Sequence, residues 1–487
     1  MALPHPHLAH PDKLFIGGQW VTPSTANTFA IVHPGTEEVA MRVAEAREAD
    51  IDRAVAAARD AFDNGPWPRL AVAERVRYLR ALAEQLDQRL DDLAIAHTLQ
   101  IGVPISMSRA TVPTIPADAR AFADYADNYK FEEVRAAQGG HALVTREPIG
   151  VVAAIVPWNL PGHLGMIKMC PALLAGCTVV VKPSPEAPLD SLIIAECAEK
   201  IGLPEGVLSI LPAGREVGDR LIRDLRVDKV SFTGSTAAGK HIGAVCMERV
   251  ARVSLELGGK SAAIVMDDAP LAHVIPALVG MSTLLNGQAC MALTRVLVSK
   301  ARKPELVAAL GAAYAALKVG DPFDPATRIG PLATAVQRER VERYIDSGVN
   351  EGARVVTGGK RPEHLTQGYF VEPTVFTNVD NRMKIAQEEI FGPVISIIEY
   401  ENEDHAVAIA NDSLYGLSGA IFTADAKRAL ALARRIRSGT VAHNAMGPQA
   451  CLPFGGYKQS GIGREGSPEG IDLYTEIKTI YLNGPAA

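Results

Sequence analysis

The stretch GVVAAIVPWNLPGHLGMIKMCPALLAGCTVVVKPS, residues 150–184, decides the architecture. It opens on a short apolar run, VVAAIV at 151–156, turns through PWNLP, continues as a helical segment and closes on a second run, TVVVK at 178–182. The pattern then repeats with LSILP at 208–212, KVSFTG at 229–234, RVSLE at 252–256 and SAAIVM at 261–266. Short β-rich runs alternating with helices predict an α/β fold, a parallel sheet with helices on both faces. Such sheets bind ligands beyond the carboxyl ends of their strands, so chemistry is sought just after each run. Those positions hold Pro157-Trp158-Asn159, Lys182-Pro183, Gly214, Gly234-Ser235-Thr236 and Glu256-Leu257-Gly258-Gly259, nearly all polar or glycine.

Working outward, FIGGQWV at 15–21 reads as a short strand and turn, and Ala49 to Phe62 and Val72 to Leu90 as helices. In the second helix Val76, Leu79, Ala83, Leu86 and Leu90 recur at the spacing of one face. A second set of strand and helix signals follows Cys290, from Thr294–Val298 through Phe391 to Phe454, and predicts a second α/β domain. Tyr474 to Tyr481 alternates apolar and polar side chains as an edge strand would, and an exposed edge invites a partner subunit.

Composition sets the class. The 487 residues are 48% apolar with 42 Gly and 32 Pro spread along the chain, and 49 Lys plus Arg are intermixed with 55 Asp plus Glu. No basic footprint for nucleic acid exists. The longest apolar runs fall far short of the ~20 residues of a membrane span, and the amino terminus lacks the pattern of a secretory leader, so neither membrane nor export is expected. Six cysteines without a CxxC pair indicate free thiols and a reduced, cytoplasmic setting. His5, His7 and His10 lie in a Pro-rich terminal stretch without Cys or carboxylate at ligand spacing, so no metal site is expected.

Five segments in order, PWNLP (157–161), FTGSTAAG (232–239), LELGGK (255–260), NGQACMALTR (286–295) and EEIFGPV (388–394), resemble the NAD(P)-dependent aldehyde dehydrogenase superfamily. The resemblance runs from FIGGQWV to PFGGYKQSGIGREG at 453–466, with Cys290 lying 34 residues after Glu256. It implies a Rossmann-type cofactor domain at 1–125 and 149–255, an α/β catalytic domain at 256–446, a substrate-loop and return segment at 447–466, and a β oligomerisation element at 126–148 and 467–487 of a homodimer or homotetramer.

The resemblance also implies roles. Cys290 is the nucleophile that adds to an aldehyde to give a thiohemiacetal and then a thioester. Glu256 is the base that activates the hydrolytic water, and such a base needs a pKa near neutrality and hence partial desolvation. The Asn159 amide and the Cys290 backbone N–H form the oxyanion hole, and Lys168 is counted with these catalytic residues. Val156, Pro157, Trp158, Phe232, Gly234, Ser235, Thr236, Gly239 and Leu257 belong to the NAD site, where the Gly234–Gly239 turn opens a helix toward the pyrophosphate. Lys182 and Ser184 meet the adenine ribose, Gly214 and Gly218 flank the adenine, and Glu389 and Phe391 meet the nicotinamide ribose and ring. Where many members carry KPxE, this chain has Pro185, with Glu186 one place later, so NADP is expected to be tolerated beside NAD. Leu285 also departs from the Asn common five residues before the nucleophile.

The tunnel is expected to be lined by Leu160, Leu164, Ile167, Leu285, Ala289, Met291, Met446, Cys451 and Phe454, without an Arg. That wall suits an uncharged, largely apolar aldehyde and disfavours an acid semialdehyde or a trimethylammonium aldehyde. Broad-specificity detoxification is the alternative. A coenzyme A-acylating enzyme is disfavoured by the Glu256 base, and an inactive binding protein by the joint presence of Cys290, Glu256 and Asn159.

Overall fold

Val151–Ile155 pairs in parallel with Thr178–Lys182 on one side and Lys229–Thr233 on the other. Val152 and Ala154 enter one apolar cluster and Val151, Ala153 and Ile155 another. An unbroken apolar run is what a strand covered on both faces requires. The computed structural model describes residues 3–444 and 452–483.

Across this sheet the parallel strands lie in the order Arg252–Glu256, Lys229–Thr233, Val151–Ile155, Thr178–Lys182 and Leu208–Ile210. Chain order reverses between the second and third of these. The crevice beyond the carboxyl ends at such a reversal is the binding position of an open α/β sheet. Pro157, Trp158 and Asn159 follow one of its strands and Gly234, Ser235 and Thr236 the other.

The edges correct the expectation of a wholly parallel sheet. The hairpin of Leu14–Ile16 and Gln19–Val21 pairs antiparallel beside Leu208–Ile210. Its two-residue turn uses Gly17 and Gly18 at φ 61 and 88, values that suit glycine. At the other edge Gly461–Ile462 pairs antiparallel with Leu255 and Glu256. The expected helix from Val72 to Leu90 is observed as Val72–Asp87, and Leu90 instead begins a further helix, Leu90–Ile101. Arg89 holds the corner, its guanidinium donating to Asp92 at 2.7 Å and Glu196 at 2.8 Å.

The second sheet centres on Ser261–Val265, flanked in parallel by Leu293–Ser299 and Ser418–Phe422. Ala262 and Ile264 face one core and Ala263 and Val265 the other. A third sheet pairs Gly140–Pro148 with Glu132–Ala137 and with Thr475–Asn483. The last strand is an edge, and it presents Ile477 and Tyr481, 66% and 77% exposed. Among the described residues no helix is long and apolar enough to cross a membrane.

One buried cation ties the second sheet to the loops around it. Arg295 donates to Lys260 O, Asn381 Oδ1 and Ile409 O, and to Ala410 O at 2.9 Å. Lysine cannot reproduce a planar fork reaching four acceptors. Arg295→Lys is expected to destabilise the fold by about 2 kcal/mol or more, since it leaves buried carbonyls unpaired. A thermal midpoint equal to that of the parent protein would contradict this.

Candidate active site

Leu257-Gly258-Gly259-Lys260 carries the chain from the first sheet to the second. A Cβ on Gly258 would lie 2.5 Å from Glu389 Oε2, and one on Gly259 would lie 2.4 Å from the Cys290 carbonyl oxygen. The Cys290 carbonyl leaves no room for a side chain at Gly259, and one at Gly258 would displace the Glu389 carboxylate, so the crossing draws two distant segments against it. The Gly259 N–H donates to Glu389 Oε1 at 3.0 Å.

Glu256 stands at the start of this crossing. It is buried, and among the described residues neither carboxylate oxygen has a hydrogen-bond partner. Burial pushes its pKa well above the ordinary carboxylate range; the Glu465 carboxylate adds to the rise and the Lys168 ammonium opposes it. Lys168, on the helix Pro161–Ala175, donates to Glu465 Oε1 at 2.5 Å, and the Ser231 hydroxyl donates to the same oxygen at 3.3 Å. Glu465 was missed in the sequence because it lies in a glycine-rich return segment. Its backbone pairs with Phe454 at 2.7 and 2.8 Å, and that pairing delivers the carboxylate to the cleft.

The thiol is presented by an unusual turn. Leu285, Asn286 and Gly287 take successive left-handed conformations at φ 52, 60 and 77, strain that a branched residue holds only when its surroundings impose it. Asn286 imposes it: its amide donates to Gly102 O and Pro331 O at 2.9 Å, and its carbonyl accepts from Gly330 N at 2.9 Å. Gln288 braces the next position by donating to Leu285 O at 3.1 Å and accepting from Ala333 N at 3.0 Å. The Asn159 Nδ2 donates to Gln288 O at 3.0 Å, which brings the PWNLP turn against the residues just before Cys290. Cys290 is partly exposed, while Cys170, Cys177, Cys197 and Cys246 are buried free thiols. Its pKa is pushed up to about 12 by burial first and then by the carboxylates of Glu389 and Glu256, which sets all three groups in one electrostatic neighbourhood.

On the opposite wall Ser235 caps the helix Thr236–Glu248, its hydroxyl accepting from Ala238 N at 3.3 Å. Earlier N–H groups of that turn stay open, as an anion site requires. Gly239 presses on Leu257, and a Cβ there would lie 2.4 Å from its side chain. Val156 donates to Lys182 O at 3.0 Å, and Lys182 Nζ donates to Ala213 O at 2.8 Å and Pro183 O at 3.1 Å, keeping one N–H in reserve. Gly218 packs on the stem of Lys182, Gly214 caps the helix Arg215–Arg223, and Phe232 is buried under Gly234. Ser184 hydrogen-bonds to Glu186, so a carboxylate does stand at this corner although Pro185 displaces it by one residue. Trp158 and Phe391 meet edge to face at 5.3 Å, with Phe391 at φ 64. A capped helix start at the sheet's reversal, tight glycines and an unpartnered Glu256 fit a dinucleotide lying along this crevice.

The model of the Aldehyde dehydrogenase family matches residues 20–480. The chain belongs to this family. Geranial dehydrogenase of Castellaniella defragrans is 46% identical over 486 residues, covering 99% of this chain and 100% of that protein. An aldehyde dehydrogenase of Mycobacterium tuberculosis complexed with NAD+ superposes with a TM-score of 0.96 at 46% identity, covering 98% of this chain and 99% of that one. A mutant of aldehyde dehydrogenase C from Pseudomonas syringae, complexed with NAD+ and octanal, gives 0.95 at 40% identity over 98% of both chains.

In this aldehyde dehydrogenase Leu160, Leu285 and Ala289 share one apolar cluster with Trp158 and Met107. Leu164 packs instead toward the core of the first sheet, and Ile167 and Met291 are buried. Phe454 is partly exposed, and Met446 and Cys451 lie outside the described residues. His163 also stands on the Leu164 face of its helix, a polar side chain that the sequence analysis passed over.

Burial pushes the Glu389 carboxyl up to about 7, opposed by its bond from Gly259. It is therefore mostly ionised at pH 8, where it holds the Cys290 thiol protonated. Glu389→Gln removes that charge, so iodoacetamide should alkylate Cys290 several-fold faster at pH 8 than in the parent enzyme. An unchanged rate would dissociate Glu389 from the thiol.

Proposed function

We propose that the protein oxidises an uncharged, largely apolar aldehyde to its carboxylic acid with NAD, through a thioester on Cys290 that is hydrolysed with Glu256 as base. The observation that carries this reading is the buried Glu256 carboxylate, unpartnered among the described residues, beside Cys290, the one partly exposed thiol among the described cysteines. Cys290 Sγ would bond to the aldehyde carbon as its proton passes to Glu256 and from there to solvent, which leaves Glu256 free for the later water. The developing oxyanion would take the second N–H of the Asn159 amide and the Cys290 N–H, donors typically worth about 3 kcal/mol each. NAD, when bound, supplies the acceptor for the two electrons that leave this carbon. Glu256 would then take a proton from the attacking water, and the thioester C–S bond breaks to release the acid and restore Cys290. A carboxyl whose pKa is raised is strong enough a base for that step.

The tunnel residues support an apolar substrate, as do two relatives, one named for geranial and one crystallised with octanal. Each methylene buried in such a tunnel contributes ~0.8 kcal/mol, so efficiency should climb from acetaldehyde through hexanal to octanal. A preference for succinate semialdehyde or betaine aldehyde would reverse the substrate assignment. Cys290→Ala should form no NADH, whereas Glu256→Gln should release one equivalent in a burst and then stall. A fully active Cys290→Ala enzyme would remove the nucleophile from this scheme.

Lys168 has a positioning role in this proposal, since it neutralises Glu465 and lowers the pKa of Glu256. Activity is lost as falling pH protonates Glu256, so Lys168→Met should move the acidic limb of kcat to higher pH, with Lys168→Arg restoring part of the shift. An unmoved limb would separate Lys168 from the base. For the cofactor, Ser184 and Lys182 favour tolerance of NADP while Glu186 opposes it. Glu186→Ala should raise the NADP efficiency relative to NAD, and an unchanged ratio would show that Glu186 does not read the ribose.

The exposed edge Thr475–Asn483 supports a homo-oligomer, and the free thiols support a reduced cytoplasmic setting.

A further inference from the structure

Every side chain of the helix Pro161–Ala175 is buried except His163 and Leu164. With Leu160, which precedes the helix, they form one strip of adjoining positions. Leu160 packs with Leu285 and Ala289, which line the apolar tunnel in the function proposed above, while Leu164 leans toward the first-sheet core, so the strip sets the imidazole beside the Leu160 wall. Its Nδ1 lies 2.7 Å from Oδ2 of Asp118, which is 1% exposed on the neighbouring helix Thr114–Tyr125.

The other ring nitrogen is the informative one. Among the described residues His163 Nε2 has no hydrogen-bond partner, and it is not among the unpartnered polar atoms sealed in the core. His97 shows what a packing histidine looks like here. It is fully buried, with Nδ1 at 3.2 Å from Ser108 Oγ and Nε2 at 3.3 Å from Asn159 O, so both nitrogens are engaged. His163 spends one nitrogen on a buried carboxylate that orients the ring and leaves the other without a partner among the described residues, on a side chain that is 19% exposed. The next charged groups it senses are Glu465 and Lys168, the pair beside Glu256.

We infer that His163, oriented by Asp118, is a specificity-determining residue that hydrogen-bonds a hydroxyl on the chain of the aldehyde. The preferred substrates are then hydroxyaldehydes with an otherwise apolar chain, an inference that rests on the aldehyde-oxidising function proposed above. The hydroxyl follows from the chemistry of the pair. With Nδ1–H donated to Asp118, Nε2 offers a lone pair when the ring is neutral and an N–H when it is protonated. A hydroxyl can answer either, whereas a keto or ether oxygen answers only the second. A carboxylate tail gains no net attraction, because the Asp118 charge cancels that of the imidazolium. Three residues of helical rise, about 4.5 Å, separate the levels of Leu160 and His163, so the hydroxyl should lie several carbons from the carbonyl.

The test compares kcat/KM for 6-hydroxyhexanal against hexanal and 8-hydroxyoctanal against octanal. In the parent enzyme at least one hydroxyaldehyde should be favoured about fivefold, the worth of one such hydrogen bond. His163→Leu should bring that ratio to about one, because the ratio compares the two substrates within one enzyme and cancels any common effect on the tunnel. Asp118→Asn should lower the ratio, and His163→Gln, which keeps a hydrogen-bonding amide, should restore part of it. A parent enzyme that favours both alkanals, or a His163→Leu enzyme that keeps the preference, overturns the inference. Protection of Cys290 from iodoacetamide by 1,6-hexanediol relative to 1-hexanol reads the same contact without turnover. An enzyme inert toward every aldehyde would defeat the proposed function, and equal protection by the two alcohols would defeat the role of His163 separately.

Discussion

Two glycines at the crossing between the sheets hold this site together, one against the Glu389 carboxylate and one against the Cys290 carbonyl. Gly258 and Gly259 pass between the Glu389 carboxylate and the Cys290 carbonyl at distances that a Cβ would occupy. The close packing lets four residues join two sheets and leaves Glu256 at one end of the crossing with the thiol beside the other. A wider crossing would separate Glu256 from Cys290, and a bulkier one would push the Cys290 loop away. The left-handed run at Leu285, Asn286 and Gly287 is the counterpart on the facing side, strained backbone held by the full complement of Asn286 hydrogen bonds.

The electrostatics of the cleft follow from burial more than from any single pair. Glu256, Glu389 and Cys290 all have raised pKa values with desolvation as the leading cause, and the carboxylates then act on the thiol. The resting site is thus poised toward its neutral forms, which spares it the cost of unpaired buried charges. The Lys168–Glu465 pair supplies the counterweight, as a cation set within reach of Glu256 by a carboxylate of its own.

A second layer of polar contacts lies behind the reacting groups. His97 braces the Asn159 carbonyl, and Asp190 accepts from Gly162 N at the start of the tunnel helix and from Gln100 Nε2 at 2.7 Å. These bonds fix the PWNLP turn, and with it the direction in which the helix presents Leu160, His163 and Leu164. Nothing in their local sequence marks them, because each bond spans tens of residues.

The sequence alone determined the strand runs of both domains, since an unbroken apolar stretch such as 151–155 can be satisfied only by burial on both faces. It also determined the family, since five motifs in order are a one-dimensional signal, and Cys290 and Glu256 are read from their immediate neighbours. The antiparallel edges, the break at Arg89, the positions of Glu465 and Asp118 and the open nitrogen of His163 were decided by the tertiary structure. The physical reason is the same in each case: a hydrogen bond or an ion pair depends on distance in space, and Lys168 and Glu465 lie 297 residues apart. Hydrophobic periodicity reports which side of an element is buried, but the partner that a buried polar atom finds there exists only once the chain has folded.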